Sequence, residues 1–189
     1  MLPFISYNFD EPLTQQQLDA LILIGKMALA KAILVFVVGA ITNNVSQVDK
    51  LWSLMPPIYA WAIVVFTGAQ PRQILVAALI TVWGLRLTYN FSRKGGYSWK
   101  FWDGEEDYRW AVLRKKPGFS NPIVWFIFNL GFISFYQSFM IAGFATLPMI
   151  IAIQDKPVEL NALDFVAAVF VLSFILMETV ADQQQWNFQ

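Results

Sequence analysis

Five stretches of this chain, 18–41, 54–68, 74–90, 122–147 and 163–180, carry runs of apolar residues close to the roughly 20 that a helix needs to cross about 30 Å of hydrocarbon. Lipid offers no partner to a backbone N–H or C=O, so such segments must satisfy themselves as helices. The expected fold is therefore all-α: a polytopic membrane helix bundle of about five transmembrane helices, forming a single domain over 1–189. With 57% hydrophobic and 14% charged residues, the chain carries more apolar surface than an ordinary soluble core absorbs. Pro56 and Pro57 open the short second stretch, where a helix has no need of their missing donors. The fourth run stays apolar to Ile153, about 48 Å of helix at 1.5 Å per residue, and Pro148 is expected to end it. Two spans are the alternative, but each half would hold only about 16 residues against the usual 17–25.

Orientation follows from Lys and Arg in the short loops. Residues 91–121 hold Arg93, Lys94, Lys100, Arg109, Arg114, Lys115 and Lys116, whereas the preceding turn has Arg72 and the following loop Lys156. The large loop is thus expected in the cytosol, with the N-terminus outside or lumenal and the C-terminus cytosolic. The sequons at Asn44 and Asn90 would then stay bare. The first 17 residues carry acids but no Lys or Arg, unlike a cleavable signal peptide, so the first apolar run is expected to be retained. The expected location is a multi-pass protein of the endoplasmic reticulum in a eukaryote, or of the inner or plasma membrane in a bacterium.

Net charge is zero and no basic face is present, which argues against nucleic acid as a partner. The absence of Cys and His removes disulfides, thiolate nucleophiles, the usual zinc sites and imidazole bases. Chemistry must come from carboxylates, tyrosines, lysines, arginines and a cofactor.

Charges within a span cost about 2.5–3.5 kcal/mol at a helix centre, which makes each a functional candidate. Lys26 and Lys31 are five apart, about 140° around a helix, and do not form one site. Each either snorkels, pairs with a buried carboxylate or faces a polar cavity. Arg86, beside Tyr89 and Asn90, reads as an interfacial anchor or as a fork for phosphate. The loop 103–110 mixes acids, bases and aromatics and is either a site wall or a solvated, self-paired connection. Glu178, Asp182 and Gln185 share a helix face that could accept hydrogen bonds from ribose, adenine or a carboxamide, with Glu178 expected to be buried. Asp49 and Trp52 at the entrance to the second span serve either as cap and anchor or as an acid that polarises a substrate carbonyl.

Val48-Asp49-Lys50-Leu51-Trp52-Ser53, Trp83-Gly84-Leu85-Arg86-Leu87, Gly104-Glu105-Glu106-Asp107-Tyr108-Arg109-Trp110 and the stretch from Glu178 to Phe188 occur in an order that resembles the steroid 5-alpha-reductase-like family, over about 49–189. The resemblance implies NADPH as cofactor, entering from the cytosol, and a lipid or steroid-like substrate from the bilayer whose C=C bond, conjugated to a carbonyl, is reduced. It further implies that Arg86, Asn90, Asp107, Arg109, Glu178 and Asp182 bind the cofactor and that Asp49, with a tyrosine, is catalytic. The family's tyrosine position falls on Trp83, so Tyr89 or Tyr59 must stand in. The family continues through two further membrane segments and a nucleotide-pocket motif that this sequence lacks, so the chain is expected to be a truncated or divergent member. The competing readings are a non-catalytic lipid-binding or scaffold protein, including one that pairs as a homo- or hetero-oligomer, and an isoprenylcysteine-type methyltransferase.

Overall fold

The computed structural model describes residues 12–100, 102–154 and 159–188, and these form helices and connections without a strand. Helix α1 spans Gln15–Thr42. Thr14 Oγ1 accepts from the Gln17 N–H and Gln17 Oε1 accepts from the Thr14 N–H, a reciprocal cap for two donors that the helix cannot satisfy. The helix stops at Asn43, which turns left-handed at φ 52°. A short α2, Gln47–Trp52, leads into α3, Met55–Phe66, with the prolines in its first turn as expected. Helix α4 is Pro71–Arg93 and α5, in the large loop, is Tyr108–Arg114.

The fourth apolar run is one continuous 30-residue rod, Pro122–Ile151, which resolves the choice between one span and two. It comprises α6 (Pro122–Phe128), a π-helical stretch (Asn129–Tyr136) and α7 (Gln137–Ile151). Pro148 does not end it: the helix runs on to Ile151. In the wider π turn, residues four apart lie nearly above one another. Phe128, Phe132 and Tyr136 accordingly stack, with centroids 5.0 and 5.3 Å apart and rings within 15° of parallel. Helix α8, Ala162–Phe188, carries the chain's C-terminal motif.

Four helices, α1, α4, the rod and α8, are long and apolar enough to cross a membrane. The second expected span is shorter than its sequence suggested. Helix α3 has 12 residues, about 18 Å, ending at Phe66 before a turn in which Gly68 is left-handed. Over the described residues the chain nevertheless runs up and down five times. At one end Gln17 donates to Ile151 O, Gln73 to Met149 O and Arg72 to Asp164. At the other, Ser53 meets Thr88, Lys50 meets the large loop, and Arg93 meets Gln183. Lys156 and the N-terminal acids lie outside the described residues.

The core forms where α1, α3 and α7 meet, on small side chains that let backbones approach: Ala20, Ala28, Ala60 and Ala142, filled in by Tyr59, Ile63 and Ile141. Helix α8 packs chiefly on α4 and presents Phe165, Val169 and Phe170 outward. Both sequons are folded in, since Asn44 Nδ2 donates to Gly104 O and Asn90 is buried, so bare sequons would not report sidedness.

Candidate functional site

The large loop is exposed along much of its length but is not paired only with itself. It folds back over the α1–α2 corner, as its polar atoms find partners there. Glu106 Oε1 accepts from the Val45 N–H at 2.8 Å, and both its oxygens are held by Arg114 at 2.7 and 2.8 Å. The Asp107 N–H donates to Ser46 Oγ, and Trp110 Nε1 donates to the Asp49 carboxylate at 2.9 Å. Lys50, wholly buried, donates from Nζ to Asp103 O. Gly104 at φ 131° makes this fold-back possible; a Cβ there would stand 3.2 Å from Gly96 O and 3.4 Å from Lys50 Nζ.

Between the folded loop and the ends of α2 and α4 lies a cleft of about 1060 Å³. Asp49, Asn90, Asp107 and Arg109, four of the eight expected site residues, line it. Trp52, Phe91, Tyr108 and Trp110 supply aromatic walls, and Lys94 and Lys116 add positive charge. Arg109 is held bidentately by Asp107, with both contacts at 2.8 Å.

These environments push the acids apart. Burial raises the Asp49 carboxyl above the usual carboxylate range, opposed by hydrogen bonds from Trp110 and Ser46. The Arg109 side chain, hydrogen-bonded to Asp107, holds that carboxyl below the range. Asp49 keeps its proton to higher pH in the folded chain, so its contribution to stability is full below the ordinary carboxylate value and is lost as pH rises through the raised one. Asp107 does the reverse: its contribution is present above the ordinary value and is lost as pH falls through the lowered one. Trp110→Phe should therefore move the Asp49 midpoint to still higher pH. Infrared detection of the isotope-labelled aspartic C=O would read this shift, and an unmoved midpoint would show that the indole does not control Asp49.

The other expected residues sit elsewhere. Arg86 bonds Asp182 at 2.6 Å and Glu178 at 3.1 Å in a separate ionic cluster between α4 and α8. Glu178 is not the buried acid expected: its side chain is 51% exposed on the flank of the bundle. Tyr89 points outward, 64% exposed, with the Arg93 guanidinium 5.0 Å from its ring centroid. Tyr59, the other candidate phenol, is fully buried in the core. Asn90 Oδ1 accepts from Arg93, which also donates to Gln183 and lies over Trp186, so Asn90 links the cleft to the α4–α8 seam.

Gln137, which lines the cleft from the rod, was missed by the sequence reading. Its signal was present: Asn129, Ser134, Gln137 and Ser138 are polar residues inside an apolar run, and all four are buried.

A family profile described as a protein of unknown function (DUF1295) matches residues 35–189. A protein of Schizosaccharomyces pombe described as uncharacterised is 33% identical over 153 residues, which cover 78% of this chain and 42% of that relative. The chain thus spans less than half the length of the curated relative it matches. No solved structure matches it.

Proposed function

The chain belongs to the DUF1295 family, a family that includes steroid 5-alpha-reductase-like proteins, and from this premise we propose that it is a membrane-embedded, NADPH-dependent reductase-type protein acting on a lipid C=C bond conjugated to a carbonyl. The observation that carries the reading is the cleft. A carboxyl with a raised pKa, Asp49, lies in a space walled by aromatic rings and edged with lysines, at the bundle end where the basic residues gather.

The residues of the cleft fit a nicotinamide dinucleotide better than those of the Arg86 cluster do. Lys94 and Lys116 offer point charges for phosphate, Tyr108 and Trp110 offer faces for planar rings, and Asn90 and Glu105 offer acceptors for hydroxyls. Arg86 already faces two carboxylates, so a phosphate brought there would meet like charge. The cofactor, when bound, supplies the hydride. Asp49, whose burial keeps its proton to higher pH than an ordinary carboxyl, donates that proton toward the substrate carbonyl, where negative charge develops during reduction. Trp110 and Ser46 fix its orientation through hydrogen bonds.

In this reading the cleft end faces the cytosol, as the seven Lys and Arg in 91–121 favour. Titrating the chain in detergent into NADPH and following nicotinamide fluorescence tests the proposal. Saturable binding is expected, weakened about 10-fold by Lys94→Ala and again by Lys116→Ala, the size of one charge-assisted contact each. No binding by this chain or by the longer relative would move the reading to a lipid-binding or scaffolding membrane protein.

A further inference from the structure

Two indoles of the large loop stand clear of the protein. Trp99 is the most exposed large apolar side chain among the described residues, at 102%, and Trp102 is 55% exposed. Lys100 beside Trp99 is exposed as well. The turn that carries them is braced at both ends by one residue of α2. Lys50, wholly buried, accepts from Tyr97 OH at its carbonyl at 2.7 Å and donates from Nζ to Asp103 O at 2.9 Å. Gln47, one turn earlier, donates to Trp102 O at 3.0 Å. Within the turn, the Asp103 N–H donates to Lys100 O at 2.8 Å, and Ser98 Oγ contacts both Lys100 O and Asp103 O. The bracing fixes the backbone while the indoles point outward, so their exposure is a property of the fold.

The same bracing sets their level. Helix α4 has 23 residues, about 34 Å, close to the roughly 30 Å of hydrocarbon, so its last turn lies at the edge of the bilayer. The Gly96 N–H returns to Phe91 O in that turn at 3.2 Å, and Tyr97 meets the Phe91 ring edge-on, with centroids 5.3 Å apart. Trp99 comes three residues after Gly96, at most about 10 Å of chain. The interfacial layer is about 5–8 Å deep on each side of the hydrocarbon. The tip of the turn is therefore within reach of the headgroups, where an indole finds both an apolar contact for its ring and a polar one for its N–H.

Charge says which headgroups. Residues 91–121 hold seven basic and four acidic side chains. Two of the acids, Glu106 and Asp107, are already paired with Arg114 and Arg109. Lys94, Lys100, Lys115 and Lys116 are all exposed. Such a surface is attracted to anionic lipid. We propose that Trp99, Lys100 and Trp102 form a docking site for the headgroups of anionic phospholipids in the adjacent leaflet, with the indoles in the interface and the Lys100 ammonium against phosphate. Docking costs little ordering, since the turn is already fixed. The proposal stands without the reductase reading. Because Gln47 and Lys50 flank Asp49 on α2, the lipid contact also steadies the loop that walls the cleft.

The test uses the full chain grown with 5-fluorotryptophan, in phosphatidylcholine nanodiscs into which phosphatidylglycerol is introduced stepwise. The fluorine signal absent from Trp99→Phe is that of Trp99. It should shift saturably along the series, lose several-fold of its broadening by a water-soluble gadolinium chelate, and broaden with a headgroup nitroxide. Lys100→Gln should need about 5-fold more phosphatidylglycerol for half the shift, the worth of one basic side chain at an anionic surface. A Trp99 signal that stays open to the chelate and indifferent to phosphatidylglycerol would overturn the site, as would a wild-type titration in Lys100→Gln. The same shift produced by soluble glycerophosphate in phosphatidylcholine discs would make this a site for a free anion and overturn lipid docking. Protection that rises with protein concentration in detergent would assign the turn to a second copy and overturn it equally.

Discussion

Gly84→Ala is expected to force α3 off α4. A Cβ at this position would stand 2.7 Å from Ser53 O and 2.7 Å from Pro57 Cγ, one a backbone atom and the other part of a ring, and neither can rotate away. The seam must open by most of an ångström. Overpacking of this kind costs about 1–3 kcal/mol, and the rigid neighbours place the cost at the upper end. The damage also travels toward the cleft, because Ser53 lines it and its hydroxyl pairs with Thr88 Oγ1 at 2.7 Å. Thermal unfolding in detergent should fall by several degrees, with NADPH binding reduced in the fraction that remains folded. An unchanged melting point would mean that the seam yields, contrary to the contact geometry.

Arg86→Met is expected to release α8 from the bundle rather than to empty a cofactor site. Removing the guanidinium leaves Glu178 and Asp182 facing each other without a cation in a setting poor in water. Breaking a buried pair by deleting one partner costs about 3–5 kcal/mol, and the half-exposed Glu178 places this case near or below the lower figure. The chain has no cysteine, so Ala168→Cys, at a buried position of α8, gives a single reporter. Its alkylation should rise at least 10-fold in the Arg86→Met background. Adding Glu178→Gln and Asp182→Asn should restore protection, since neutral side chains need no counter-charge. Protection in Arg86→Met alone would show that apolar packing holds α8, and NADPH affinity lost while protection is kept would return Arg86 to the cofactor site.

Hydropathy located the long helices, and local rules helped at fewer of their ends. The prolines of α3 marked its start by chemistry confined to a few residues, whereas the capping pair Thr14 and Gln17 and the left-handed Asn43, equally local, were not read from the sequence. The second stretch was read as 54–68 and the helix covers Met55–Phe66, because hydropathy does not see the turn at its far end, where Gly68 goes left-handed. Pro148 was given too much weight as a terminator, because its effect on a helix is local and the apolar surroundings keep the rod helical for another turn.

For the site, Asp49, Asn90, Asp107 and Arg109 were named from sequence and do converge on one cleft. Arg86 and Asn90, four apart on α4, share a face in projection, and order along the chain cannot tell which neighbour takes which part of it. Helix α8 takes Arg86 while Asn90 remains at the cleft wall. Glu178 was expected to be buried on the strength of the apolar run before it, but an apolar helix packed chiefly on a single neighbour keeps most of its circumference toward lipid. Which polar atoms in the core would lack partners depends on helix rotation, a long-range property that no short motif encodes.

The ion pairs joining α4 to α8 at both ends also set a schedule for making the protein. Arg72 meets Asp164 and Arg86 meets Asp182, partners 92 and 96 positions downstream. At about 5–20 residues per second, α4 leaves the ribosome on the order of 5–20 s before its counter-charges exist. Throughout that interval Arg72 and Arg86 must be held at the interface, by translocon or by lipid headgroups. Only when α8 emerges can α4 settle to its final depth, so a helix made later fixes the position of one made much earlier.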